Sequence, residues 1–210
     1  MKPNKKINTF KYARIVKHAL FLHLFFIPGL ASFAQSGLQF YSPKIIMKME
    51  TTDFTSMIVV DQKPEEVFNA INNVRGWWSE EIEGHTNQLN EVFKYHYEDV
   101  HRCKIKIVEF VPNKRIVWEV LDNYFKFTQD KTEWIGTKII FDISEKEGKT
   151  QLVFTHAGLT PQYECYEICR DAWTTYIQSS LLNLITTGKG KPNGKGKPQT
   201  ENEKTLESQH

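Results

Sequence analysis

Cysteine is scarce in this sequence, three residues in 210, and that number is odd. A disulfide framework is therefore excluded as the organising device of the fold. Acidic residues are absent before Glu50, although residues 1–48 carry eight Lys or Arg. No apolar run is long enough to span a bilayer: residues 19–34 are the best candidate, they contain His23 and Pro28, and a spanning helix needs about 20. Several chemical signatures are missing too. There is no G-x-S-x-G elbow, no H-E-x-x-H, no paired C-x-x-C and no G-x-x-x-x-G-K-[ST] loop. Nucleophile-elbow hydrolysis, helix-borne zinc proteolysis and phosphate-loop chemistry are thereby set aside.

What is present is a large aromatic complement, 14 Phe, 8 Tyr and 5 Trp within 40% hydrophobic residues, ample for a core. The formal net charge of +2 hides an asymmetry. Removing the eight basic residues of the first 48 leaves 19 basic against 25 acidic side chains. A mildly acidic domain does not attract nucleic acid through its general field. Cys165 and Cys169 stand four apart in a helical pattern. Their Cβ atoms would lie about 5–6 Å apart, wider than the roughly 3.5–4.5 Å of a disulfide. Buried thiols in a reducing compartment are the plain reading, with metal ligation the sharper alternative.

The first 48 residues fit two accounts. Small residues at Ser32 and Ala34 before Gln35 suit a signal-peptidase site after residue 34. Translation from Met47 or Met49 would instead leave the segment outside the protein, in keeping with a cytoplasmic location. Under either account a domain spans residues 52–190, Gly-Lys-Gly-Lys-Pro occurs twice, at 188–192 and 194–198, and residues 191–210 read as a disordered polar tail.

Within the domain, residues 54–60 have the β-branched content of a strand. Pro64-Glu65-Glu66 opens a helix whose apolar positions Val67, Ala70, Ile71 and Val74 repeat at helical spacing before Gly76. Trp77 and Trp78 then fold back on the core. Alternation at Phe93-Tyr95-Tyr97, Cys103-Ile105-Ile107, Ile116-Trp118-Val120, Thr137-Ile139-Phe141-Ile143 and Leu152-Phe154-His156 predicts an antiparallel meander. Residues 122–131 read as a loop that lacks the alternating acids of a calcium site. Thr160-Pro161 begins a helix that runs to Gly188, with one apolar face from Tyr166 to Ile185.

This order, with Trp77-Trp78, Trp134-x-Gly136-Thr137, Phe154-Thr155-His156-x-Gly158-Leu159 and Trp173, resembles the SRPBCC superfamily. That superfamily includes the START and birch-pollen-allergen-like domains. The branch most similar is named for the activator of the ninety-kilodalton heat-shock chaperone's ATPase. The resemblance implies an α+β helix-grip fold, a curved antiparallel sheet wrapped around a long C-terminal helix with two short helices after the first strand. It also implies a cavity between sheet and helix for a small apolar or amphipathic ligand.

Trp78, Tyr95, Trp118, Trp134, Phe141, Phe154, Trp173 and Tyr176 are the candidate walls of such a cavity, and His156 is its candidate polar handle. The same aromatics serve equally as core filling, and His156 equally as a core histidine hydrogen-bonded on both sides. A zinc site of His156 with Cys165 and Cys169 would need a tight fold-back. The expected function is ligand binding, with neither catalytic residue, metal nor cofactor. The alternatives are a chaperone ATPase-activator-like interaction module and a cyclase or hydratase using His156. The expected partners are the ligand and a chaperone, with no nucleic acid and no stable membrane span.

Overall fold

The computed structural model describes residues 52–197, 200, 204 and 205. The basic N-terminal segment, with its signal-like and start-site readings, lies outside them. No helix among the described residues is long and apolar enough to cross a membrane.

Strand β1 (Phe54–Val60) is followed by α1 (Pro64–Asn72), where Pro64 takes the first helical position and Glu66 accepts the Lys63 N–H at 2.9 Å. A single 3₁₀ turn (Val74–Gly76) hands the chain to Trp77 and Trp78. The sheet then continues through β2 (Glu83–Gly84), β3 (Val92–Tyr97), β4 (His101–Val111), β5 (Arg115–Phe125), β6 (Lys138–Lys146) and β7 (Lys149–Ala157). All neighbours are antiparallel, in the order β1-β7-β6-β5-β4-β3-β2. The chain closes with α2 (Tyr166–Thr175), a π-helical segment (Tyr176–Leu181) and α3 (Leu182–Thr187), which follow one another as one long helix ended by Gly188 in the left-handed region. This is the helix-grip architecture.

Two bulges shape the sheet. Lys104 pairs with Asp122 while Ile105 pairs with Val120, so Leu121 is an extra residue on β5; Val108 is the corresponding extra residue on β4. Each shifts the phase of alternation. On β5 the buried positions pass from Ile116, Trp118 and Val120 to Asn123 and Phe125. Residues 122–125, expected as loop, are therefore strand. A broken alternation looks like a loop in sequence.

The long helix begins later than expected. Residues 160–165 form successive turns, with Tyr163 N–H to the Thr160 carbonyl and Tyr166 N–H to that of Tyr163. The first turn of α2 is held from outside, because the buried Glu133 carboxylate accepts the Glu164 and Cys165 N–H groups at 2.6 and 2.9 Å. Glu164 returns the contact by accepting the Gln129 N–H at 2.7 Å. Residues 126–133 are thus clamped to the start of α2.

The expectation of an unanchored tail from residue 191 does not hold as far as residue 197. Asn193 is buried and pairs with Ser79 in an isolated parallel bridge. Its side chain reaches the Tyr176 hydroxyl, an anchor that a search for apolar residues passes over.

Candidate functional site

Alternation along the strands puts Phe93, Tyr95, Ile105, Trp118, Ile139, Phe141, Phe154 and His156 on the buried face, and α2 lays Trp173 across them. The aromatic residues pack as one body. Trp118 stacks near-parallel with Trp77 and Trp78 at 6.4 and 6.3 Å between centroids, Trp134 with Trp173 at 5.9 Å, and Trp78 with Tyr95 at 4.6 Å. Such contacts contribute beyond area burial.

A small cavity remains within this layer. About 30 Å³ is open to the centre of a water-sized sphere, enough for one or two waters. Of the residues anticipated from sequence, Trp78, Tyr95, Trp134, Trp173 and Tyr176 line it. Trp118, Phe141, Phe154 and His156 do not; they are wholly buried beside it. Tyr97, Val100, His101, Phe125, Phe127, Ile168, Cys169 and Ala172 complete the wall and were missed. His101 and Phe125 were within reach of the alternation rule: His101 begins the run that continues at Cys103, and Phe125 continues β5 once its bulge is allowed for. Phe127 and Ile168 are only half-buried, so the cavity meets the surface between residues 126–133 and α2.

His156 is committed on both sides. Its Nδ1 accepts the indole N–H of Trp173 at 3.0 Å, and its Nε2 lies 2.9 Å from the Thr137 hydroxyl. Thr137 donates its proton to the Trp134 carbonyl at 2.6 Å, so it accepts from Nε2–H. The ring is thereby fixed as the neutral Nε2–H tautomer. Burial, reinforced by the neighbouring His101, pushes its pKa down to about 3. A ring with both nitrogens engaged is neither a free base nor a handle for a ligand. The same network explains the sequence signature: Trp134, Thr137, His156 and Trp173 are one hydrogen-bonded group. Gly158 stands at φ +99°, where an added Cβ would lie 2.8 Å from Thr137 Cγ2.

His101 differs. Asn123 donates to the Lys131 carbonyl at 3.2 Å, which turns its Oδ1 toward His101 Nε2 at 3.2 Å. Nε2 therefore carries the proton, and burial lowers this pKa also to about 3, against the opposing effect of the Asn123 bond. Two indole N–H groups, those of Trp118 and Trp134, are buried without a protein acceptor. Only Trp134 lies on the cavity wall.

Cys103, Cys165 and Cys169 are buried and form no disulfide, and burial raises the Cys103 thiol well above its ordinary range. No cluster of three or more metal-ligating side chains occurs among the described residues, so the zinc alternative finds no support there.

The family model described as "Activator of Hsp90 ATPase homolog 1-like protein" matches residues 61–185. The chain belongs to this family. Among solved structures, the chain is similar to the Aha1 dimer from Colwellia psychrerythraea at 22% identity, over 66% of this chain and 99% of that one, with a TM-score of 0.54. It is also similar to the protein SSP2350 from Staphylococcus saprophyticus at 19% identity, over 67% and 96% of the two chains, with a TM-score of 0.50. At these identities the likeness speaks for the shared helix-grip fold alone. No curated protein matches the sequence. The family stretch of this activator-like chain contains the aromatic layer and the His156 network; it stops before residues 188–197.

Proposed function

We propose that this domain binds a small aromatic or amphipathic molecule carrying a hydrogen-bond acceptor, in the cavity under α2, and performs no reaction on it. The observation that carries this reading is the buried Trp134 N–H, which has no protein acceptor and belongs to a residue of the cavity wall. An unpaired buried donor costs about 1–3 kcal/mol. An acceptor entering the cavity would relieve that cost at Trp134, whereas the equivalent group of Trp118 lies away from it. Aromatic side chains make up most of the rest of the wall and favour a flat ligand.

The closed cavity is far smaller than the roughly 300–1,000 Å³ of a drug-sized site. Entry between residues 126–133 and α2 therefore requires Phe127 and Ile168 to move outward, with the Glu133 and Glu164 clamp as the closing force. Native mass spectrometry of protein from its own cells, with titration of a lipid and aromatic library followed by Trp fluorescence, tests the reading. No co-purified species and no fluorescence change across the library would remove it. Trp134→Phe should weaken any ligand found by about tenfold, the loss of one hydrogen bond of about 1.4 kcal/mol.

A second reading follows from the outer face of β3, β4 and β5. A groove of about 460 Å³ lies there, lined by Lys94, His96, Arg102, Lys104, Asp122 and Tyr124 among others, with Arg102 4.7 Å above the Tyr124 ring. A charged, open groove suits a protein surface, and the family's description names the Hsp90 ATPase. Stimulation of the Hsp90 ATPase that is lost in a Lys94→Glu, Lys104→Glu variant would support it. No stimulation by the wild-type chain would discard it. Three buried cysteines that form no disulfide favour a cytoplasmic protein. N-terminal sequencing of the native chain distinguishes a start at Met47 or Met49 from export after residue 34.

A further inference from the structure

Residues 188–197 lie beyond the stretch matched by the family model, and they are built into the domain by an ordered set of bonds. Asn193 N–H donates to the Trp78 carbonyl at 2.9 Å, and the Asn193 carbonyl accepts the Glu80 N–H at 2.9 Å. The Asn193 side-chain amide donates to the Tyr176 hydroxyl at 2.7 Å. The Lys191 N–H donates to Ser180 Oγ at 2.7 Å, and that hydroxyl in turn donates to the Trp77 carbonyl at 2.6 Å. Gly196 N–H reaches the Glu81 carboxylate at 3.2 Å. Gly190 sits so close to the Gly76 carbonyl oxygen that any Cβ would run into it.

These partners are not scattered. Trp78 and Tyr176 are both cavity walls, and Tyr176 and Ser180 both belong to the π-helical segment. The segment thus bonds to two residues of the cavity wall from outside the cavity, since none of its own residues lines it. Its innermost side chain is polar, and Asn193 Oδ1 is buried without a partner. A segment evolved only to strengthen the core would place an apolar side chain there; an amide held by one good bond and one unmet acceptor is bound less firmly than its burial suggests.

We propose that residues 188–197 form an autoinhibitory strap, in which Asn193 holds the Trp78–Tyr176 end of the cavity shut and whose release opens that end to an aromatic or amphipathic molecule. The proposal rests on the ligand-binding reading of the cavity and adds a second closure to the clamp at Glu133. The strap is held by main-chain bonds at Asn193 together with the Ser180 hydroxyl, the Asn193 amide and the Glu81 carboxylate. The clamp is held by carboxylates alone.

The experiment uses the full chain and two variants, Gly190→Ala and Asn193→Ala, with 1-anilinonaphthalene-8-sulfonate as the amphipathic aromatic probe. Hydrogen exchange reports the strap through the Glu80, Lys191 and Asn193 amides, and the core through β6 and β7. The expected result is faster exchange at the three strap amides, unchanged protection in β6 and β7, and probe affinity at least tenfold above wild type. The apparent dissociation constant varies inversely with the open fraction. Released strap amides with wild-type probe affinity would overturn the proposal. Should Gly190→Ala lose protection throughout, Asn193→Ala decides alone, since it removes the side chain without forcing the main chains apart. Failure of the ligand reading looks different: a ligand library that leaves every chain, strap released or not, without a fluorescence response.

Discussion

Trp173 donates its indole N–H to Nδ1 of His156 at 3.0 Å, and this bond makes the histidine a structural joint between β7 and α2. On the other side Thr137 links the same ring to the Trp134 carbonyl. Two histidines held neutral inside a domain have a consequence for its behaviour in acid. Both His156 and His101 have pKa values lowered to about 3. The unfolded chain, with imidazoles near 6.5, takes up protons first as pH falls. Their contribution is therefore full above pH 6.5 and drains away between about 6.5 and 3, by about 1.4 kcal/mol per pH unit for each ring. Urea unfolding at pH 7.5, 6 and 5 should show a steady fall in midpoint. A midpoint flat from 7.5 to 5 would contradict the assigned neutral tautomers.

His156→Phe should lower stability by about 2–4 kcal/mol at pH 7, because the Trp173 and Thr137 groups lose their shared partner in a dry site. The variant should also lose part of the acid sensitivity. Chemical denaturation at pH 7 and pH 5 measures both. A small cost at pH 7 with acid sensitivity intact would mean that another group sets the titration.

Glu133→Ala should cost about 1–3 kcal/mol, since its carboxylate accepts two N–H groups at the start of α2. Hydrogen exchange at Glu164 and Cys165 should accelerate more than exchange at Cys169, whose N–H bonds within the helix to the Cys165 carbonyl at 2.8 Å. Uniform acceleration along α2 would show that the carboxylate steadies the whole helix and not its first turn.

The three thiols should resist Ellman's reagent in the folded protein and react fully in denaturant, with Cys103 protected both by burial and by its raised pKa. Rapid labelling of any one of them in native buffer would point to an opening near that residue.

Much of the fold is written in local patterns. Pro64 and the acids behind it mark α1, and strict alternation marks β3, β6 and β7, because one face of each strand is buried. The pattern fails where geometry departs from period two. Leu121 and Val108 reverse the phase of β5 and β4, and with it went the view of Phe125 as a wall residue. Thr160-Pro161 looked like a helix start, but the start is set by Glu133, a residue about thirty positions away with no local signal. The aromatic site was legible as a group and not residue by residue. Trp118 on β5 and Trp134 in the turn before β6 were both candidate walls, yet only packing in three dimensions decides which meets the cavity. Asn193 was hidden because polar anchoring follows hydrogen bonds that composition does not encode.

Strand β1 ends the sheet, and an end strand offers unpaired main-chain groups on which another chain's strand can build. Its outer side chains add to the invitation, with Met57 and Val59 each about half exposed. The Gln178 amide, projecting from the π-helical segment, donates to Ser56 Oγ at 2.8 Å and to the Met57 carbonyl at 2.9 Å. A side chain of the gripping helix thus occupies a main-chain acceptor that an incoming strand would need. The π-helical segment that bonds to the strap thus also fills a main-chain acceptor on the open edge of the sheet, leaving one fewer for a second chain to pair with.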